Sequence, residues 1–210
     1  MPGAIPLGVC LKGLDQHVGR AKFLEMTGSR HTFAAALLAF IAATPMALAC
    51  PALPDTSIEQ ARINARIKAA ASEAEARALG GALWQIWTTA PDAKAQNLLD
   101  QGMKARSSFD YASSEAILDE LVAYCPEYAE AWNQRAFTRY LRQDFSTALE
   151  DLDRTLALLP THTGALTGKA LTLIGMGRAE LAQEVLKEAL RVNPWLSERA
   201  LLVKPKGTEL

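Results

Sequence analysis

The sequence predicts an all-α array of antiparallel helix pairs, and three observations predict it. Pro126, Pro160 and Pro194 recur with a period of 34 residues. The segments they close, 95–126, 129–160 and 163–194, agree in chemical character column by column. Ahead of them, residues 58–79 are rich in alanine and charge, a composition of high helix propensity. A fixed period of this length marks a stack of repeated supersecondary units.

Composition sets the outer limits. The chain has 210 residues, 50% hydrophobic and 21% charged, with a formal net charge of −1. That apolar content supports a packed core and excludes disorder along the whole chain. The balanced charge provides no electrostatic footprint for nucleic acid, so no nucleic-acid partner is expected.

The first segment reads as an address. Arg30 and His31 precede an uncharged stretch from Thr32 to Ala49. Its apolar run, Phe33 to Ala43, is 11 residues, well short of the ~20 a spanning helix needs. A basic start, a short apolar centre and the small residues of Ala47-Leu48-Ala49 describe a secretory signal peptide over 26–49, cleaved after Ala49. Pro45 breaks the helix ahead of that site. Residues 1–25 lack a clear period and read as a mis-assigned extension, with translation starting at Met26. Cleavage leaves 161 residues. The leader takes Lys12, Arg20, Lys22, Arg30, Asp15 and Glu25 with it, so 18 basic and 21 acidic residues stay, net −3. No later stretch is long enough to span a bilayer, so the expected product is exported to the periplasm without a transmembrane span.

Cys10 leaves with the leader, and Cys50 and Cys125 stay. In an oxidising compartment the two can pair. The alternative is lipidation of Cys50, which follows Ala-Leu-Ala where a lipobox would stand. The usual Leu three before the Cys is Ala47 here, and Leu48 is one place late. Lipidation would make the protein an anchored envelope scaffold.

Residues 50–57 are a Pro-containing linker ending in the N-cap candidates Asp55, Thr56 and Ser57. Residues 58–94 follow as an N-terminal capping element, either one long bent helix or a degenerate helix pair. Its apolar face is thin at Ile58, Ile63 and Ile67 and stronger at Leu79, Leu83, Ile86 and Trp87. Gly80-Gly81 is the expected kink. Such an element shields the end of repeat 1, because an exposed end of a stack is insoluble.

Columns are counted from residues 95, 129 and 163. Column 4 holds Leu98, Trp132 and Leu166, column 24 Leu118, Leu152 and Leu186, and column 28 Val122, Leu156 and Leu190. These large side chains fill the space between two helices. Column 8 holds Gly102, Ala136 and Ala170, and column 20 holds Ser114, Ala148 and Ala182. Small residues there let the two backbones approach. The turn falls near columns 14–16, at Gln143-Asp144 and Gly175-Met176-Gly177. The closing Pro ends the second helix.

These columns resemble the tetratricopeptide repeat family, of the exported bacterial type, over residues 95–194. The resemblance implies a right-handed α-solenoid of about three repeats, 95–126, 129–160 and 163–194, whose first helices line a concave groove. The chain departs from the family pattern at column 7, usually Leu, with Gln101, Arg135 and Lys169, and at column 11, usually Tyr, with Ala105, Arg139 and Leu173. Packing around these helices is therefore expected to be more polar than in the family. Residues 195–210 form a partial C-terminal cap, with Trp195 covering the core, and then a tail.

Catalytic chemistry finds little footing. His162 is the one histidine of the expected mature chain and stands in an inter-repeat loop, where an exposed side chain is expected. No CxxC or HxxxH spacing supplies a metal site, and no G-x-S-x-G elbow supplies a nucleophile. Gly175-Met176-Gly177 lacks the Lys of a phosphate loop. Glu150, Asp151 and Asp153 read as a solvated helix face. No enzyme activity, cofactor or metal is expected.

The resemblance places partner contacts mainly on columns 2, 5, 9, 12 and 13. It nominates Leu99, Met103 and Arg106 in repeat 1, Asn133, Phe137, Tyr140 and Leu141 in repeat 2, and Thr167, Leu171 and Ile174 in repeat 3. Phe137, Tyr140, Leu171 and Ile174 would form an apolar strip for an extended peptide or a partner helix. Family members that clamp a C-terminal carboxylate use Lys and Asn at columns 5 and 9, and Asn133 alone cannot do so. The expected function is a non-catalytic protein-interaction module. The sequence leaves open whether the N-terminal helix fills the groove and whether copies of the chain associate through it.

Overall fold

The computed structural model describes residues 49–203. The expectations for the leader lie outside the described residues up to position 48. Among the described residues the chain forms eight α-helices and no strand. They are α1 (Ser57–Ala69), α2 (Glu73–Trp87), α3 (Ala93–Ser107), α4 (Tyr111–Tyr124), α5 (Ala129–Leu141), α6 (Phe145–Leu158), α7 (Thr163–Gly175) and α8 (Ala179–Val192), followed by a 3₁₀ turn at Ser197–Leu201. Helices α3–α4, α5–α6 and α7–α8 pack as hairpins, and α4 on α5 and α6 on α7 stack one hairpin on the next.

The repeat period returns in the backbone at the hairpin turns. Phe109, Gln143 and Gly177 all occupy column 15 and all have positive φ, 62°, 64° and 73°. The next residue closes a six-residue ring in each turn: Asp110 N–H donates to Ala105 O, Asp144 N–H to Arg139 O and Arg178 N–H to Leu173 O, at 3.0, 2.9 and 2.8 Å. This is a Schellman ending, in which a left-handed residue lets the last carbonyls of a helix find donors. Capping then starts several helices. Ser72, Asp92 and Asp110 accept from Glu75, Ala95 and Ser113 N–H, satisfying donors that have no partner within the helix. The Asp92 carboxyl also accepts from Tyr124 OH at 2.6 Å. These bonds, Ala95 N–H first, hold it below the usual carboxylate range.

Small residues are where close approach demands them. A Cβ built on Gly102 would lie 2.7 Å from Leu118 Cγ, so column 8 and column 24 touch backbone to side chain. Ser114 at column 20 is buried and donates to Gly102 O at 2.9 Å, bonding the hairpin at its narrowest point. Leu98, Leu118, Leu121 and Val122 form the core of the first hairpin, and Ala136, Leu152 and Ala165 that of the next.

The N-terminal element is a helix pair. Its break lies between Ala69 and Glu73, and α2 runs unbroken through Gly80 and Gly81. The expected kink at the glycines is therefore corrected. The helix keeps its backbone bonds across them, and the Ala70 N–H turns back to Ile67 O to end α1 instead. Ile63, Ile67, Leu79, Leu83 and Trp87 bury against each other, with Leu159 and Trp195 packed on the cluster. Tyr128 OH donates to Trp87 O at 2.7 Å, the Trp87 ring stacks on His162 at 4.0 Å, and Arg199 bonds Glu73. The pair thus lies along the inter-repeat loops, reaching repeats 2 and 3 and the C-terminal turn rather than covering repeat 1 alone.

Cys50 and Cys125 are joined by a disulfide, closing a loop with a sequence separation of 75. It fastens the linker ahead of α1 to the end of α4.

Candidate partner-binding groove

Helices α5 and α7 present their first-helix columns to a common space. Arg106, Asn133, Phe137, Tyr140, Thr167 and Leu171 line one cavity of about 330 Å³, which Trp84 of α2 and Glu198 of the C-terminal turn wall from the other side. The N-terminal pair therefore borders the groove without filling it. Phe137 is 46% exposed and stands at its centre of apolar character, with the Arg106 guanidinium 4.6 Å from its ring. Such a pair fixes both groups in place.

The other nominated residues fall elsewhere. Leu99 is fully buried in the α3–α4 core, with Cys125 and Tyr128 beside it and Cys50 and Ala90 packed over the same cluster. It offers nothing to a partner, which corrects the carry-over at column 5 of repeat 1. Met103 packs against that cluster too. Leu141 and Ile174 are exposed at the ends of α5 and α7, beyond the cavity. The apolar strip is thus Phe137, Tyr140 and Leu171. Cys50 and Cys125 are brought together outside the groove lining.

A buried polar chain stands behind the groove. Arg106 donates to Gln134 Oε1 at 2.6 Å, Gln134 Nε2 donates to Glu130, and His162 Nε2 donates to Glu130 Oε2 at 2.7 Å. Asn133 Nδ2 also reaches the Glu130 carboxylate, at 3.2 Å. His162 Nδ1 accepts from Ala165 N–H at 3.1 Å, which puts the ring proton on Nε2. Burial lowers the Arg106 pKa, and the Glu130 charge works against that shift. His162 is 1% exposed, so the expected exposed loop histidine is corrected: Trp87 covers it from another helix, and its ring caps α7. Both its nitrogens are hydrogen-bonded within the protein.

A second polar cluster lies between helices. Arg135 holds Asp151 through Nε and Nη2, at 2.9 and 2.7 Å, and Arg139 Nη1 bonds the same carboxylate at 2.9 Å. Asp151 is 2% exposed, so it departs from the solvated face expected for it, while Glu150 and Asp153 are exposed. Arg135 also bonds Asp119 at 2.7 Å, and Lys169 bonds Asp153 at 2.6 Å. In both, a cation at column 7 meets a carboxylate at column 25 of the preceding repeat. Two of the three departures at column 7, Arg135 and Lys169, are thus ion pairs between successive repeats. Reading column 7 against column 25 across the repeat boundary would have found it. Trp84, Gln134 and Glu198 carry no such signal, since only the packing of the flanking elements brings them to the groove.

Among the described residues no helix is long and apolar enough to cross a membrane, and no three His, Cys, Asp or Glu side chains gather as a metal site.

No family model matches the chain. A TPR repeat-containing protein of Rhizobium etli is 29% identical over 108 residues, 51% of this chain and 53% of the relative. Tetratricopeptide repeat protein 36 of Xenopus tropicalis is 31% identical over 114 residues, 52% of this chain and 56% of the relative. The chain thus spans about half the length of the curated relatives it matches. Among solved structures, the first TPR of Spaghetti (RPAP3) bound to the HSP90 peptide SRMEEVD superposes with a TM-score of 0.50 at 19% identity, over 51% of this chain and 86% of that one. The TPR2B domain of yeast Sti1 in its pHsp70 complex gives a TM-score of 0.50 at 20% identity, over 52% and 90%. At such identities the superpositions speak for the fold. With the 34-residue period, the hairpins built on it and these matches in hand, the chain has the stacked helix-hairpin fold of tetratricopeptide-repeat structures and is similar to curated proteins of that kind.

Proposed function

We propose that this protein is a non-catalytic interaction module whose concave α5–α7 face receives an extended segment of a partner protein. The observation that carries this reading is the cavity of about 330 Å³ where Phe137, Tyr140 and Leu171 meet Arg106 and Asn133. Its size favours a peptide side chain or short strand over a helix, which is about 10–12 Å across. The peptide-bound state of a superposed TPR domain supports the same use of the fold. Phe137→Ala and Leu171→Ala, with helicity retained, are expected to weaken partner capture. Glu150→Ala, on an exposed helix position, is expected to leave it unchanged. Equal capture by all three would count against the groove.

The compartment belongs to the same proposal. The leader read from the sequence and the Cys50–Cys125 disulfide support export to the periplasm, an oxidising space. The alternative, a lipid anchor on Cys50 of an envelope scaffold, would claim the same sulfur as the disulfide, so the two are mutually exclusive. Intact mass of the exported chain, unreduced, separates them: loss of two hydrogens from a chain starting at Cys50 supports the disulfide form, and an acyl increment supports the anchor.

A further inference from the structure

The α1–α2 pair is fastened to the repeats at two places, one at each end of α2. At its end, the Trp87 ring stacks on His162 and the Trp87 carbonyl accepts from Tyr128 OH. At its start, Glu73 accepts from Arg199 of the C-terminal turn at 3.2 Å, and Trp195 packs on the buried cluster of the pair. Glu73 and Trp87 open and close α2, so these fastenings stand about 21 Å apart along the helix. Trp84 lies one turn before Trp87 and Glu198 lies next to Arg199, and both wall the groove opposite α5 and α7. The outer rim of the groove is therefore made by this pair and its fastening.

Between the fastenings the pair is seated loosely. A cleft of about 840 Å³ separates α1 from the inter-repeat loops, and the groove cavity of about 330 Å³ lies beside α2. Three buried side-chain polar atoms lack a partner among the described residues, and two of them are here: Asn64 Oδ1 on α1 and Trp195 Nε1. The closed seating thus leaves hydrogen bonds unmade that water would supply. The Glu73 and Arg199 side chains are 50% and 45% exposed. Ion pairs in that position contribute little and are screened by salt. Segments with sparse packing and exposed ties are those that open locally while the core stays folded.

We propose that the α1–α2 pair is a lid on the concave groove, pivoting at Trp87 and latched to the C-terminal turn by the Glu73–Arg199 pair and Trp195, and that release of this latch admits the partner segment. The purpose of the lid rests on the groove reading above. Its motion does not, and the experiment reads the motion with no partner present.

The probe is N-ethylmaleimide, acting on a single thiol at Thr167→Cys in the full, oxidised chain carrying Cys10→Ser. Thr167 lines the cavity and is half-buried. A thiol at the exposed Glu150→Cys corrects for intrinsic reactivity. Arg199→Glu is expected to raise the corrected rate about threefold or more, and adding Glu73→Arg should return it at least halfway. About 0.5 M sodium chloride should raise the rate in the wild-type background and leave the Arg199→Glu chain unchanged. Trp195→Ala should raise it at least about tenfold. Circular dichroism should stay helical throughout. Rates that move in neither Arg199→Glu nor Trp195→Ala overturn the proposal. So does a rise matched by faster hydrogen exchange in the buried α5–α6 core, which marks general unfolding. Loss of partner capture in Phe137→Ala tests the groove separately, whatever the lid does.

Discussion

At the scale of single residues, column 15 sets local chemistry against repeat geometry. The backbone there is left-handed in all three hairpins, yet only repeat 3 has glycine. Phe109 is 80% exposed and gains little packing in return for its conformation. A left-handed non-glycine residue costs about 1–2 kcal/mol. Phe109→Gly is therefore expected to stabilise the fold by about 1 kcal/mol and raise the melting temperature. A lower melting temperature would mean that the Phe109–Tyr111 ring contact, 6.4 Å between centroids, outweighs the strain. The turn itself was legible, since Gly177 and the spacing marked it. The left-handed Phe109 was not, because nothing about a phenylalanine announces that conformation. His162 was misread for a related reason. Its burial comes from Trp87, 75 positions earlier, and no local pattern carries that contact.

Among helices and hairpins, glycines separate by what surrounds them. Gly80 and Gly81 stand within an unbroken α2, and an added Cβ would meet nothing within 4 Å. Gly81→Ala is expected to stabilise by about 0.5–1 kcal/mol through helix propensity alone. Gly102 stands in the same kind of backbone, but Leu118 occupies the space a Cβ needs. There the overlap should win, and Gly102→Ala is expected to destabilise by about 1–3 kcal/mol. Thermal melts of the two variants should move in opposite directions, and a shared direction would contradict the packing described at column 8. The sequence columns anticipated the close approach at Gly102 because the repeat supplied two comparisons, Ala136 and Ala170. Gly80 and Gly81 had no such comparison, so propensity alone suggested a kink that the backbone does not make. The position of the α1–α2 pair along the loops was beyond the columns as well. It depends on Trp87, Tyr128 and Trp195, each of which reads as ordinary core on its own.

Over the whole molecule, two ties hold the N-terminal segment to the repeats: its packed side chains and the Cys50–Cys125 bond. Reduction of that bond frees a loop with a separation of 75 residues. Chain entropy for a loop of that size gives about 4 kcal/mol of lost stability, read as a lower denaturant midpoint in dithiothreitol. A midpoint unmoved by reductant would mean that side-chain packing alone carries the attachment. The repeat fold was legible because α3 to α8 answer to a period visible in one chain. The cavity was legible in part: the columns put Phe137, Tyr140 and Leu171 on one face and they line one cavity, while the walls supplied by Trp84 and Glu198 come from segments outside the period. The central claim is that this concave face receives the partner. Photocrosslinking in cells tests it most directly, with the probe at Phe137 and a control at Glu150. The account predicts a discrete adduct from position 137 and none from position 150. Equal adducts from both, or none at 137 from folded protein, would contradict it.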